Sequence, residues 1–153
     1  MAVYFSFAVA EYKPDKESLK IWREFAQSVV NQIVVKKIRL RFVIMNDEQL
    51  LEINRQFLSH DDYTDIITFP LEETETHLWA EIYISLERVA DNAARFGFSF
   101  AEEFARVMSH GILHLSGLGD KSLREKRRMR AAEQVQIDSF RAIWQRSTWN
   151  PFV

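Results

Sequence analysis

The sequence predicts an α+β fold in a single domain spanning residues 1–153, with a small mixed four-stranded sheet packed with about five helices. The hydrophobic periodicity changes along the chain in the order β-α-β-α-β-β-α-α-α, and no repeat or linker interrupts it. The length suits one domain with a substantial core. An apolar content of 47%, with four glycines and three prolines, indicates an ordered globular chain.

The first half of the chain alternates strands with helices. Val3–Val9 is apolar and β-prone, and a helix beginning at Asp15 or Ser18 follows it, with apolar residues three and four apart. Ile38–Met45 alternates apolar with basic residues, which indicates a strand with a buried face. Asp47–Leu58 is predicted to be the second helix.

The second half begins with a strand pair and ends with three helices. Thr64–Pro70 is predicted as a strand that stops at Pro70, because proline cannot donate to a strand ladder. The other predicted elements are a polar loop at Ser59–Tyr63 with His60, an acidic loop at Glu72–His77, a strand at Leu78–Ser85, and helices at Leu86–Phe96, from Ser99 to Leu115, and from Ser122 to about Trp144. Capping boxes open the last two helices.

A histidine pair dominates the predicted functional site. His110 and His114 stand four residues apart in an apolar helical pattern, so both imidazoles project from one helix face. Gly117 and Gly119 allow the chain to leave the helix, and Asp120 follows. We expect a metal site on this helix-to-loop bend. Three protein ligands without a fourth are typical of a catalytic rather than a structural site.

The same residues have plainer interpretations. Histidines on an apolar helix face often have only a structural hydrogen bond, and Asp120 could be the N-cap of the next helix. The spacing H-x3-H-x5-D also suits metzincin proteases, in which a glutamate follows the first histidine as general base. Gly111 occupies that position here and argues against a protease.

Charge and composition exclude several classes of protein. The net charge of −2 is no global signature of nucleic-acid binding, although Lys121–Arg130 holds six basic residues and one acid. That run is either a solvated helix face or a phosphate-contacting patch. The chain has no cysteine for disulfides or thiolate metal sites. With no 18-residue apolar run and no basic leader, we expect no membrane span and a cytoplasmic location.

The segment His110–Gly117 reads H-G-x-L-H-L-x-G and resembles the YbeY endoribonucleases of bacterial ribosomal RNA maturation. The resemblance extends to Ile53–Leu58 with Thr64–Pro70, to Ala80–Ser85, and to Met129 with Glu133. Three positions depart from the family pattern: Asp120 replaces the usual third histidine ligand, Leu58 replaces an arginine implicated in activity, and Ala80-Glu81 replaces Gly-Asp.

The resemblance implies a metal-dependent, single-strand-specific endoribonuclease acting in ribosomal RNA processing, in which a metal-activated water cuts a phosphodiester. Its partners would be ribosomal RNA and the small ribosomal subunit. One divalent ion, zinc or else nickel, iron or manganese, would be held by His110, His114 and Asp120.

Other residues receive roles by type and family position. Arg55, one turn before Leu58, would replace the family arginine, and Asp65 or Glu81 would act as general base or orient a ligand imidazole. Lys121 and Arg124 would bind the substrate phosphate. Two alternatives stay open: a ribosome assembly or RNA-binding factor with a mainly structural metal, favoured by Leu58, and a metalloprotease-like hydrolase of another substrate.

Overall fold

The fold centres on one mixed four-stranded sheet. The computed structural model describes residues 2–58 and 64–153. The strands are β1 (Ala2–Phe7), β2 (Lys37–Met45), β3 (Ile66–Glu73) and β4 (His77–Ser85), in the order β1-β2-β4-β3. β1 and β4 run parallel to β2, and β3 runs antiparallel to β4. This confirms the predicted α+β fold with a small mixed sheet.

Six helices surround the sheet within the described residues. They are α1 (Lys16–Ile33), α2 (Asp47–Leu58), α3 (Leu86–Phe96), α4 (Phe100–Leu115), α5 (Leu123–Ser139) and α6 (Arg141–Trp144), with a 3-10 turn at Ala10–Tyr12. The side chains of Asp15, Ser99 and Ser122 cap α1, α4 and α5. The full capping box forms at Ser122 with Glu125. The last predicted helix is divided at Phe140 into α5 and α6.

Two predictions around β3 were wrong. The strand does not stop at Pro70 but continues to Glu73, with a register shift between Pro70 and Glu72. Because β3 is an edge strand, the missing N–H of Pro70 breaks no ladder. The predicted acidic loop Glu72–His77 shortens to residues 74–76, since both of its ends pair in the sheet. The predicted loop Ser59–Tyr63 lies outside the described residues.

The two faces of the sheet carry different helices. Leu40, Phe42 and Ile82 are fully buried on the face covered by α1 and α4. On the other face, α2 forms a smaller cluster in which Leu50 packs with Ile67. The edge strand β3 therefore lies between α4 and α2, and the candidate site forms at this edge.

The C-terminal tail docks on the core. The Trp149 indole N–H donates to the Tyr12 carbonyl at 3.0 Å, and its ring lies 5.4 Å from the ring of Phe104. This contact closes the sheet face opposite α2. Within the described ranges, no helix combines the length and apolar character that crossing a bilayer requires.

Candidate metal centre

Helix α4 presents the two histidines side by side. The ring centroids of His110 and His114 lie 4.6 Å apart, with the ring planes at 80°. Between them, Gly111 brings the helix directly onto the sheet: a Cβ there would lie 2.8 Å from Ile66 Cδ1 and 2.9 Å from Ile82 Cδ1. A side chain at position 111 would therefore point into the sheet and away from the histidines.

The end of α4 turns the chain back toward the histidines. Gly117, at φ 104°, donates its N–H to the His114 carbonyl at 3.0 Å, and Leu118 donates to the Leu113 carbonyl at 3.1 Å. This pair of bonds is the Schellman motif, which favours glycine at the left-handed position. The reversal places Asp120 Oδ2 at 3.3 Å from Nε2 of each histidine. Since Ser122 caps α5, Asp120 does not act as the cap.

The three side chains suit a metal ion. One ligand atom from each of His110, His114 and Asp120 lies within 4.8 Å of the others. Two ligand atoms about 2.05 Å from a tetrahedral ion are themselves about 3.3 Å apart, which matches the spacing of Asp120 Oδ2 from each Nε2. The three side chains are 22%, 26% and 38% exposed, so the group opens to solvent on one side. Two nitrogens and one oxygen suit zinc, nickel, iron and manganese alike.

A buried carboxylate orients one histidine. Glu133 Oε2 lies 2.6 Å from His110 Nδ1, so that His110 Nε2 faces Asp120. Burial by itself lowers the pKa of His110, but the hydrogen bond and charge of Glu133, with Asp65 and Asp120, outweigh it and raise the pKa. Glu133 was quoted in the sequence analysis only through the family resemblance. The sequence pattern could have indicated that Glu133 is buried, because it falls on the same face of α5 as the buried residues Met129 and Ile137.

A buried ion cluster supports Glu133. The guanidinium of Arg106 lies 3.9 Å from Glu133 Oε1 and 3.8 Å from Glu103 Oε1, and it donates to Gln134 Oε1 at 3.1 Å. Arg106, Glu103 and Glu133 are each about 95% buried. Burial raises the pKa of Glu103 to about 7, with a further contribution from the charge of Asp65. The cluster links α4 to α5 directly behind His110.

The structure brings one further predicted residue to the histidines. Asp65, just before β3, lines the same cavity as His110, His114 and Asp120. Burial raises the pKa of Asp65, against the lowering effect of the charge on His110. Asn54 and Leu58 of α2 form the opposite wall of this cavity.

Four other predicted residues lie elsewhere. Glu81 is on the α2 face of the sheet, where it accepts a hydrogen bond from the Tyr83 hydroxyl at 2.8 Å and lies 3.7 Å from Arg41. Arg55, Lys121 and Arg124 are exposed and are not among the described residues lining the cavities beside His110. Roles for these four residues stay predictions.

The sequence is similar to those of known proteins. The family model described as "Endoribonuclease YbeY" matches residues 8–141. A protein of that name from Cytophaga hutchinsonii is 38% identical over 130 residues, covering 82% of this chain and 91% of the relative. Another, from Amoebophilus asiaticus, is 37% identical over 124 residues, covering 81% and 84%.

The fold also matches a solved structure. A solution structure of a Thermotoga maritima protein aligns with a TM-score of 0.58 and 22% identity, covering 93% of each chain. At that identity the match supports the fold alone. The family model and the curated relatives carry the assignment, and on their evidence this chain belongs to the YbeY family.

Proposed function

We propose that this protein is a metal-dependent endoribonuclease that cuts single-stranded RNA during ribosomal RNA maturation. The observation that carries the proposal is the convergence of His110, His114 and Asp120 on an open cavity, in a family whose relatives are named endoribonucleases. The expected substrate is ribosomal RNA, alone or in the small subunit, which implies a cytoplasmic location. Zinc is the proposed ion, because two imidazoles and a carboxylate form a common zinc donor set.

Each side chain has a distinct task in this proposal. When bound, a divalent ion supplies Lewis-acid activation of the phosphodiester and of the attacking water. The Nε2 atoms of His110 and His114 both face Asp120 Oδ2, where the ion would bind. Glu133 holds the His110 ring in that orientation. Asp65 lines the cavity, and its raised pKa makes its carboxylate a stronger base than an exposed aspartate. We assign Asp65 the removal of a proton from the attacking water.

The cavity has the size of a ligand site. It measures about 580 Å³ and is lined by α2, β3 and α4. Among its described lining residues there is no arginine or lysine, since Leu58 stands where the family pattern has arginine. Charge developing on the phosphate would need a cation from elsewhere.

The test is an RNA cleavage assay. The zinc-loaded protein is incubated with small-subunit ribosomal RNA beside a chelated sample, His114→Ala, and the matched control His77→Ala. His77 is an exposed histidine at the start of β4 and lines neither cavity beside His110. We expect cleavage by the loaded wild type and by His77→Ala only. Cleavage by His114→Ala or by the chelated sample at the rate of the loaded wild type would refute the proposal.

A second candidate function is favoured by Leu58. Without the family arginine, the same fold could serve as a ribosome assembly or RNA-binding factor with a mainly structural metal. That function predicts one ion per chain and binding to the small subunit without turnover. The protease alternative has less support, because position 111 faces Ile66 and Ile82 and so offers no place for a general base.

A further inference from the structure

A second cavity adjoins the candidate metal centre. It measures about 480 Å³ and is walled by α3, α4 and α5. Asp65, His110 and Asp120 line both this cavity and the one on the β3 side, so the two cavities meet at His110. We call it the α5 cavity.

Three cations of α5 line the α5 cavity: Lys126, Arg127 and Arg130. At 100° per residue they fall on one side of the helix, while Arg124 and Arg128 fall on the other. Within the described residues, no ion pair involves Lys126 or Arg127, and Arg130 lies 3.5 Å from Glu133 with its side chain 69% exposed. Lys126 and Arg127 are therefore available to a phosphate, whereas Arg130 already pairs with Glu133 and can contact a phosphate only through its exposed part.

The lining of the α5 cavity mixes apolar side chains with polar and charged ones. Phe96 is 57% exposed, with the Arg95 guanidinium 5.5 Å from its ring centroid, and Asn92 lies one turn before it on α3. The buried Arg106 also lines the cavity, 3.8 Å from Glu103 and 3.9 Å from Glu133, and its charge offsets part of theirs. An exposed aromatic ring beside hydrogen-bonding groups and cations matches the arrangement in which proteins hold a single-stranded nucleotide.

We propose that the α5 cavity takes one nucleotide of the RNA strand next to the phosphate at the metal centre. The nucleotide's phosphate lies against Lys126, Arg127 and Arg130, and its base lies against Phe96. This inference rests on the proposed function and names the part of the substrate that the second cavity holds. Since a base must leave its stack to enter, the expected ligand is a single strand.

The test measures RNA binding without catalysis. Fluorescence anisotropy follows a labelled 12-nucleotide single strand and its duplex at several salt concentrations, with metal chelated so that no cleavage occurs. The cavity variant is Lys126→Gln with Arg127→Gln. The matched control is Lys20→Gln with Arg128→Gln, which removes the same charge from exposed helix positions that line neither cavity. Phe96→Ala tests the base, and circular dichroism confirms that each variant is folded.

We expect the cavity variant to weaken single-strand binding roughly tenfold and to reduce the salt slope by about 1.4, since each phosphate contact contributes about 0.7 for single strands. The control should change binding less than threefold and leave the slope unchanged. Phe96→Ala should cost roughly fivefold or more, as expected for a lost stacking contact. Wild type should bind the duplex more weakly than the single strand.

Two outcomes separate the inference from the proposed function. If wild type binds RNA but both double variants weaken binding equally, or if duplex binds as well as single strand, the α5 cavity inference is wrong and the nuclease proposal stands. If wild type neither binds RNA here nor cleaves it when loaded with zinc, the proposed function itself fails.

Discussion

Replacing Glu133 tests how the metal centre is held together. The carboxylate lies 2.6 Å from His110 Nδ1, and its side chain is only 5% exposed. Glu133→Ala removes the one described contact that fixes the His110 ring from its Nδ1 side. Losing such a supporting partner typically costs about 10–100-fold in metal affinity. At 1.4 kcal/mol per factor of ten, the expected loss of zinc-binding free energy is about 1.4–2.8 kcal/mol.

The conservative variant separates orientation from charge. Glu133→Gln keeps a carbonyl oxygen that can accept the Nδ1 hydrogen, so it should retain the ring orientation and lose only about tenfold in affinity. Zinc affinity is measured by competition with a chromophoric chelator, and melting of the metal-free protein reports the cost to folding. The control is Glu102→Gln, because Glu102 contacts Arg106 at 3.7 Å from the other side of the cluster.

The reasoning fails if Glu133→Ala binds one zinc per chain with wild-type affinity. It also fails if Glu102→Gln loses as much affinity as Glu133→Ala, since the effect would then belong to the Arg106 cluster as a whole.

Three further predictions concern stability. Gly111→Ala places a methyl group against Ile66 and Ile82, which should cost about 1–3 kcal/mol of unfolding free energy and weaken zinc binding as α4 moves off the sheet. Urea denaturation measures the first effect and zinc titration the second. An unchanged urea midpoint would contradict the close packing at Gly111. In Gly117→Ala the alanine must adopt a φ near 104°, which should lower the free energy of unfolding by about 1–2 kcal/mol and make the position of Asp120 less fixed. A melting temperature equal to that of wild type would argue against the left-handed turn. The pKa of Glu103 is raised from 4.5 to about 7, so the folded state retains a proton that the unfolded state releases in this interval. The stability this proton confers is present below pH 4.5 and lost as the pH rises through about 7. Wild type should therefore lose up to ~3 kcal/mol relative to Glu103→Gln between pH 4.5 and 8, and parallel stability curves for the two proteins would refute the raised pKa.

Local patterns explain how much of the fold was predictable. The helix that holds the histidines, its Ser99 cap and its end before Gly117 all depend on residues within a turn or two of one another. The same is true of the Ser122 capping box that opens α5. The prediction that the strand ends at Pro70 was wrong because a proline interrupts a sheet only where its missing N–H would have donated to a neighbouring strand. Whether β3 has a neighbour on both sides is a property of the whole sheet.

The sequence by itself determined the order of elements, the pairing of His110 with His114 on one helix face, and the bend that follows. Tertiary structure decided the rest of the site. Glu133 reaches His110 from 23 residues away because α5 packs on α4, and Glu81 is carried to the α2 face of the sheet. Alternation in a strand separates two sets of side chains, but only packing decides which face meets which helix. Hydrophobic periodicity and helix capping depend on residues that are close in the sequence. Contacts between distant elements depend on how all the helices pack with one another and with the sheet.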